Sequence, residues 1–332
     1  MGKSRLSQYG GGQLWRKPLP VITILDMKSE SNANRAAGTA ALLSILAFTG
    51  MVAVNGLASA LPLNGVNTGQ LSDELPNLFV PAGIIFSIWG LIYLLLAGYV
   101  AAAAREAFCS VSGGRRAWTG RDGVLFIMNA AANSAWILAW HWRLVGTSLV
   151  IMLVILGTLV ALERDSERKL GSGGILEKGT GKEPGSIRLR RFLLIVPLRV
   201  YLGWICVATI ANVTALLVKT RWDGFGLDPR IWTVAVILAG LTVALGFSIW
   251  KRQIAAPLVV VWAYAGIVLK RVSTDPDYSA PVWIAAGLAA LVILASLVRV
   301  RIACPLFGRG QTSGTNHGAH GEIGRASCRE RV

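Results

Sequence analysis

The chain has 332 residues, of which 54% are hydrophobic and only 15% are charged. Soluble domains carry about 25% charged residues, so this composition excludes an ordinary soluble protein and favours one that spans a membrane. The net charge of +16 is compatible with a nucleic-acid partner, but the Lys and Arg residues cluster in particular loops, as they do in membrane proteins. We therefore predict membrane lipid, and no nucleic acid, as a partner.

The chain opens with a polar segment, residues 1–37, which has no early apolar run and is predicted to be a cytoplasmic tail. Met27 is an alternative start, in which case residues 1–26 are not native. Apolar runs follow, each close to the length of about 20 residues that crosses a bilayer as a helix. They cover residues 38–60, 79–104, 123–141, 144–162, 192–218, 231–250, 254–270 and 281–299. None alternates with the period of two expected of a membrane β-barrel, so we predict an all-α, polytopic transmembrane helical bundle of about eight helices.

The loops between these spans predict the topology. Residues 163–191 are rich in Gly and charged residues, which is typical of a flexible cytoplasmic linker. This linker and the N-terminal tail are rich in Lys and Arg, whereas residues 61–78 contain neither. The positive-inside rule then places both termini in the cytoplasm of a multi-pass protein of the plasma or inner membrane. Residues 303–332 are predicted to be a disordered tail, and residues 322–332 resemble a translated sequencing adapter.

Four of the spans carry a stripe of Asn, Trp or Tyr on one helical face. The stripes contain Asn55 in the first span, Trp89 and Tyr93 in the second, Asn133 and Trp136 in the third, and Trp204, Ala208 and Asn212 in the fifth. At the depths that the topology implies, the stripes converge beneath residues 61–78, a loop long enough to act as a lid. We therefore predict an outward-opening, aromatic-lined pocket. The alternative is simple packing, since Asn residues in membrane helices often bond only to a neighbouring helix.

The stripes also contain three motifs that resemble those of the TspO/MBR family of tryptophan-rich sensory and translocator proteins. They are P-x7-W-x3-Y at 81–93, N-x2-W at 133–136 and W-x3-A-T-x2-N at 204–212, within a resemblance that covers residues 38–218. This resemblance implies a five-helix bundle that binds porphyrins and related hydrophobic ligands under its first loop. It implies that Trp89, Asn133, Trp204 and Ala208 line the pocket. The three spans in residues 219–302 are then additional, so we expect a divergent member.

Several functions remain open from the sequence. The first is binding of a planar hydrophobic ligand of the porphyrin or haem type, for sensing or translocation, with no required cofactor. The others are passive transport of small hydrophobic molecules and a structural subunit without a ligand, either of which could form a homodimer through small residues on the helices. Proton-coupled transport is disfavoured, because no Asp or Glu lies inside a predicted span and Arg199, the one charge, is expected to snorkel to the interface. No catalytic or metal-binding motif is recognisable, so we do not predict an enzyme.

Overall fold

The computed structural model of the protein describes residues 21–61, 65–66, 68–109, 117–170 and 185–306. In this part of the chain, eight helices are long and apolar enough to cross a membrane, and no strand is present. The helices are α1 (Val21–Ala60), α2 (Thr68–Asp73), α3 (Ile88–Phe108), α4 (Gly120–His141), α5 (Val145–Leu170), α6 (Gly185–Lys219), α7 (Pro229–Leu245), α8 (Ala255–Thr274) and α9 (Ala280–Leu306). The prediction of an all-α, polytopic bundle is confirmed. The short helix α2 lies in the loop between the first two spans.

The bundle has two ends, which we name after features of the chain. The α2 end holds α2, the turn between α4 and α5, and the loops that join α6 to α7 and α8 to α9. The linker end holds the ends of α3, α5 and α7, and residues 171–184, which follow α5 in the sequence, lie outside the described residues. The predicted C-terminal tail and its adapter-like part also lie largely or wholly outside them.

Local sequence signals explain where several helices start. Thr119 precedes α4, and its backbone N–H donates to the Asp122 carboxylate over 2.7 Å, which satisfies a donor that the first helical turn leaves free. At α7 the roles are reversed: the N-cap residue Asp228 accepts from the N–H of Arg230 over 2.8 Å, and Pro229 occupies the first helical position. The α4–α5 turn is closed by Arg143, whose φ of 57° lies in the left-handed region.

Two boundaries differ from the sequence predictions. Helix α1 begins at Val21, inside the segment predicted as a polar tail. Helix α5 runs to Leu170 and α6 begins at Gly185, so both ends of the predicted linker 163–191 are helical. Charged residues on α5 find protein partners there: Lys169 pairs with Asp122 of α4, for example. A polar helical face that bonds to its neighbours can continue the helix past the apolar run.

The predicted apolar runs contain no acidic residue, but the helices extend beyond these runs and take in buried acidic residues near the linker end, namely Glu106, Asp122 and Glu163. Glu163 is only 3% exposed and lies in a helix that qualifies as a span as far as Leu170. Its Oε1 accepts from Arg199 Nε over 3.0 Å and from Gln253 Nε2 over 2.8 Å. The expectation that Arg199 snorkels is wrong, because the guanidinium is buried and paired within the protein. A buried charge requires such partners, and they come from α6 and from the segment that precedes α8, both distant in sequence.

The first five spanning helices form a closed ring. Helix α1 packs on α4, α4 on α5, α5 on α6, α6 on α3, and α3 back on α1. Polar and aromatic stripes on these helices therefore face a shared interior rather than separate lipid-facing surfaces. This arrangement places the residues of the predicted pocket inside a single ring.

The last three spanning helices form a layer on one side of the ring. Helix α8 packs on α6, and α9 packs on both α8 and α7. The contact between α6 and α8 is close, because a Cβ at Gly203 would lie 2.7 Å from the Ala256 carbonyl oxygen. Helix α7 ends in a π-helical segment, Gly246–Trp250. The two parts meet along α6, which belongs to both interfaces.

Candidate ligand-binding site

The interior of the ring contains a cluster of aromatic side chains centred on Trp89. Its ring centroid lies 5.7 Å from Tyr93, 6.0 Å from Trp136 and Tyr201, and 6.1 Å from Trp204. The Trp89–Tyr93 pair is stacked and the Trp89–Trp204 pair is edge-to-face, which are the two arrangements that aromatic quadrupoles favour. Residues from α3, α4 and α6 thus converge, as the sequence stripes predict.

A chain of hydrogen bonds supports the cluster. Asn55 Nδ2 on α1 donates to Asn133 Oδ1 on α4 over 2.8 Å, and Asn133 Nδ2 donates to the Tyr201 hydroxyl on α6 over 2.8 Å. Asn55 also donates to the backbone carbonyl of Met51 over 2.9 Å. Asn133 and Tyr201 are almost completely buried. The chain joins three helices of the ring and fixes the orientation of the side chains behind Trp89.

A cavity of about 470 Å³ opens beside this cluster at the α2 end. Phe86, Trp89 and Tyr93 form its aromatic wall, Asn55 and Ile137 border it from α1 and α4, and the start of α2 borders it from the loop. Its lining is Asn55, Thr68, Gly69, Gln70, Asp73, Gly83, Phe86, Trp89, Tyr93 and Ile137. The volume lies within the range of about 300–1,000 Å³ that small-molecule sites occupy. An aromatic wall that faces amides and one carboxylate, Asp73, suits a flat ligand that carries polar groups at one edge.

Helix α2 covers the cavity and is held from three directions. Trp140 Nε1 of α4 donates to the carbonyl oxygen of Thr68 over 3.4 Å. Arg143 in the α4–α5 turn binds both carboxylate oxygens of Glu74 over 2.8 Å. Asp73 pairs with Lys270 of α8. These contacts give the loop predicted as a lid a defined position over the ring.

Two buried indole groups in the cluster have an N–H donor that forms no hydrogen bond with the described residues. Trp136 is 5% and Trp204 is 2% exposed, and neither Nε1–H has a hydrogen-bond partner among the described residues. An unmade hydrogen bond in a buried site costs roughly 1–3 kcal/mol. Donors of this kind suit an acceptor group on a ligand that enters the ring more deeply than the present cavity.

The predicted site residues fall into three groups: those that border the cavity, those in the aromatic cluster beside it, and those that lie elsewhere. Asn55, Trp89 and Tyr93 border the cavity. Trp136 and Trp204 lie in the aromatic cluster next to it, as does Asn133 through its bond to Tyr201.

Ala208 and Asn212 lie elsewhere. Ala208 is half-buried against the hydrophobic core and does not border the cavity. Asn212 accepts a hydrogen bond from Ser148 Oγ of α5 over 3.1 Å. Of the four positions that the family resemblance implies, Trp89 is the one that borders this cavity.

Sequence reasoning did not include several residues that build the site. Tyr201 begins the stripe that contains Trp204 and Ala208, so its helical spacing already indicated the same face. Phe86 lies close to Trp89 in the sequence, and its ring centroid is 5.9 Å from that of Trp204. No pattern in the sequence indicated that Gln70 and Asp73 border the cavity, because their position depends on how α2 packs over the ring.

The described residues contain no group of three or more His, Cys, Asp or Glu side chains that could hold a metal ion. What the arrangement can do is stack a flat apolar molecule and bond to its polar edge.

Comparison with known proteins identifies the family to which the chain belongs. The model of the family described as TSPO-like protein matches residues 41–299. No curated protein and no solved structure matches the chain. The family match covers well over half of the chain and continues past residue 218, where the motif resemblance ends, into α9. The chain therefore belongs to the TSPO-like protein family.

Proposed function

We propose that this membrane protein binds a planar hydrophobic ligand of the tetrapyrrole class in the cavity of the five-helix ring. The observation that carries the proposal is the position of Trp89, which borders the cavity and is also packed against Tyr93, Trp136, Tyr201 and Trp204. A wall of this kind is rigid, because every neighbour restricts the indole. A rigid aromatic wall loses little conformational entropy when a flat ligand stacks on it.

The proposed contacts follow from the lining of the cavity. Trp89, Tyr93 and Phe86 offer faces and edges for offset stacking with a macrocycle. Gln70 offers an amide to the acid groups at its rim, whereas both N–H groups of Asn55 are engaged by Met51 and Asn133. Trp136, Trp204 and Asn133 position the wall from behind, while Ala208 and Asn212 are outside this contact surface.

The cavity lies at the α2 end, which we propose is extracytoplasmic. The support is the distribution of charge: the N-terminal segment, the loop after α3 and the linker are rich in Lys and Arg, and residues 61–78 contain none. In this orientation a ligand enters from outside the cell or from the outer leaflet. The protein then acts as a sensor of the ligand or as a route for its translocation.

Titration of the purified protein with protoporphyrin IX tests the proposal, with Trp fluorescence quenching and Soret absorbance as readouts. Loss of an aromatic pair costs about 0.5–1.5 kcal/mol, so Trp89→Leu is expected to raise the Kd about 3- to 10-fold. Trp250→Leu is the matched control, because this indole is 84% exposed on the π-helical segment far along the chain from the cavity. Equal affinities for wild type and Trp89→Leu would show that the cavity is not the site.

Uptake by reconstituted vesicles separates the functions that the sequence leaves open. A sensor binds protoporphyrin without moving it across the bilayer. A passive carrier takes it up at a rate that does not depend on a pH gradient and that Trp89→Leu lowers. A structural subunit shows neither binding nor uptake, and that result would refute the proposed function.

A further inference from the structure

A second cavity, of about 690 Å³, lies at the α2 end between the ring and the three-helix layer. Residues 76–80 of the loop after α2, the end of α6, the start of α7 and the end of α8 surround it. Asp73 borders both this cavity and the one inside the ring. The second cavity is therefore a neighbour of the proposed ligand site but is built largely from different residues.

One corner of the second cavity holds a guanidinium group with an unused donor. Arg271 is 8% exposed. Its Nη1 lies 3.5 Å from Asp275 Oδ1, and its Nε has no hydrogen-bond partner in the part of the chain that the structure describes. Arginine carries five N–H donors in a planar fork. The Nε–H donor of this fork is therefore available to an anion.

The other charged groups on the lining are already engaged. Lys270 pairs with Asp73, and Asp223 accepts from the backbone N–H of Phe225 over 3.0 Å. Arg271 is thus the lining charge whose hydrogen bonds are least complete. Burial of a cation with incomplete pairing costs free energy, and a bound anion would recover part of that cost.

The remainder of the wall is apolar and aromatic. Leu217 of α6 and Val236 of α7 contribute aliphatic surface. Trp222 and Trp232 lie on the same lining, with ring centroids 4.9 Å apart in an edge-to-face pair. The lining therefore combines one under-satisfied cation with a long hydrophobic surface, which is the complement of an anionic amphiphile.

We propose that the second cavity binds an anionic amphiphile. Its carboxylate or phosphate group pairs with Arg271, and its apolar body lies along Leu217, Val236 and Trp232. Carboxylate and phosphate are the groups that the guanidinium fork binds bidentately. The two sources of this chemistry are a free fatty acid and the headgroup of an anionic lipid. This site is distinct from the proposed tetrapyrrole site and does not depend on it.

Quenching by a brominated chain tests the proposal, because bromine quenches an indole only at close range. The purified protein in neutral detergent is titrated with 9,10-dibromostearate, and we expect saturable quenching of Trp fluorescence. The double variant Trp222→Phe, Trp232→Phe is expected to show less of this quenching. Loss of a charge-assisted hydrogen bond is worth about tenfold or more in affinity, so Arg271→Gln is expected to raise the Kd by that factor. Arg271→Lys keeps the charge and is expected to bind more tightly than Arg271→Gln.

Two further variants make the test independent of folding defects. Arg121→Gln removes an exposed guanidinium that pairs with Asp165 and does not border the cavity, so it is expected to bind like wild type. Val236→Phe fills the apolar part of the cavity without altering a charge, and it is expected to weaken dibromostearate binding while protoporphyrin binding stays unchanged.

The source of the anion is decided by a parallel titration in nanodiscs. If dibrominated phosphatidylglycerol quenches Trp222 and Trp232 and dibrominated phosphatidylcholine does not, the bound anion is a lipid headgroup. If only the free acid quenches them, the bound anion is a fatty carboxylate. Equal affinity for the acid and for its uncharged methyl ester would overturn the proposal. Wild-type affinity in both Arg271→Gln and Val236→Phe would overturn it as well.

Discussion

Individual asparagine side chains show where the amides of the polar stripes find hydrogen-bond partners inside the protein. Asn129 donates to the Ile155 carbonyl and to Thr158 on α5, and Asn212 accepts from Ser148 on the same helix. Asn55 and Asn133 bond to each other and, through Asn133, to Tyr201. Hydrocarbon provides no partner for an amide, so each side chain bonds to a neighbouring helix. Only Asn55 combines such a bond with a position on the cavity wall.

The bond between Asn133 and Tyr201 gives the first stability prediction. Hydrogen bonds between membrane helices contribute about 0.6 kcal/mol on average and up to about 1.7 kcal/mol. We expect a double-mutant cycle of Asn133→Ala and Tyr201→Phe to give a coupling energy toward the upper value, because both groups are almost fully buried. The free energy of unfolding, measured by steric trapping in a bilayer, checks this value.

Tyr278→Phe serves as the control for this cycle, since its side chain is 48% exposed and its hydroxyl is remote from the amide chain. It is expected to leave the free energy of unfolding unchanged and to show no coupling with Asn133→Ala. A coupling energy near zero for the Asn133–Tyr201 pair would contradict the hydrogen-bond chain as a stabilising feature.

Among the helices, α6 has the largest role, because it closes the ring and also carries the three-helix layer. It packs on α5 and α3 within the ring and on α8 outside it. Its Pro197 lies inside the helix, and its Gly203 faces the backbone of Ala256 on α8. Small residues at helix interfaces allow backbones to approach closely. The close approach of α6 and α8 therefore depends on a position without a side chain.

Gly203→Ala tests this dependence. An added methyl group would meet the Ala256 backbone at 2.7–2.8 Å, which is well inside van der Waals contact. We expect a loss of stability of about 1–3 kcal/mol, the usual cost of overpacking, and a loosened contact between α6 and α8. Thermal unfolding in detergent and the rate of proteolysis in the α7–α9 layer measure the two effects.

Gly157→Ala on α5 is the matched control, because a Cβ there has no atom within 4 Å. Alanine in a helix interior is favoured over glycine by about 0.5–1 kcal/mol, so this variant is expected to be as stable as wild type or slightly more stable. If both substitutions have the same effect, the close approach at Gly203 is not what holds α8 against the ring.

The molecule as a whole consists of a ring and a layer joined at both ends. At the α2 end, Asp73 pairs with Lys270 of α8. At the linker end, Glu163 accepts from Gln253 over 2.8 Å, and Glu167 pairs with Lys251 over 3.0 Å. Polar contacts between distant parts of the chain thus fix the layer to the ring above and below the apolar interface.

Cysteine labelling tests the proposed orientation of this assembly. Cys109 is exposed at the linker end, and Asp277 is exposed in the loop between α8 and α9 at the α2 end. In a background of Cys304→Ser and Cys328→Ser, we expect Cys109 to react with a membrane-impermeant maleimide only after cells are permeabilised. Asp277→Cys, combined with Cys109→Ser, is expected to react in intact cells, and the reverse pattern would invert the topology.

Much of the architecture could be read from the amino-acid sequence. Runs of about 20 apolar residues have one stable solution in a bilayer, because only a helix satisfies its own backbone there. The number of spans and the all-α class follow directly from this constraint. The stripes containing Trp89, Asn133 and Trp204 also follow from sequence, since helical periodicity places them on one face regardless of what they contact.

Only the tertiary structure decided which polar groups meet. The apolar run of the fourth span ends before Glu163, yet α5 continues, because Arg199 of α6 and Gln253, which precedes α8, both bond to that carboxylate. Asn212 lies on the same stripe as Trp204 but faces Ser148, so a shared helical face did not mean a shared cavity. Periodicity is a local property of the chain, whereas pairing, burial and cavities depend on distances between segments that are remote in sequence.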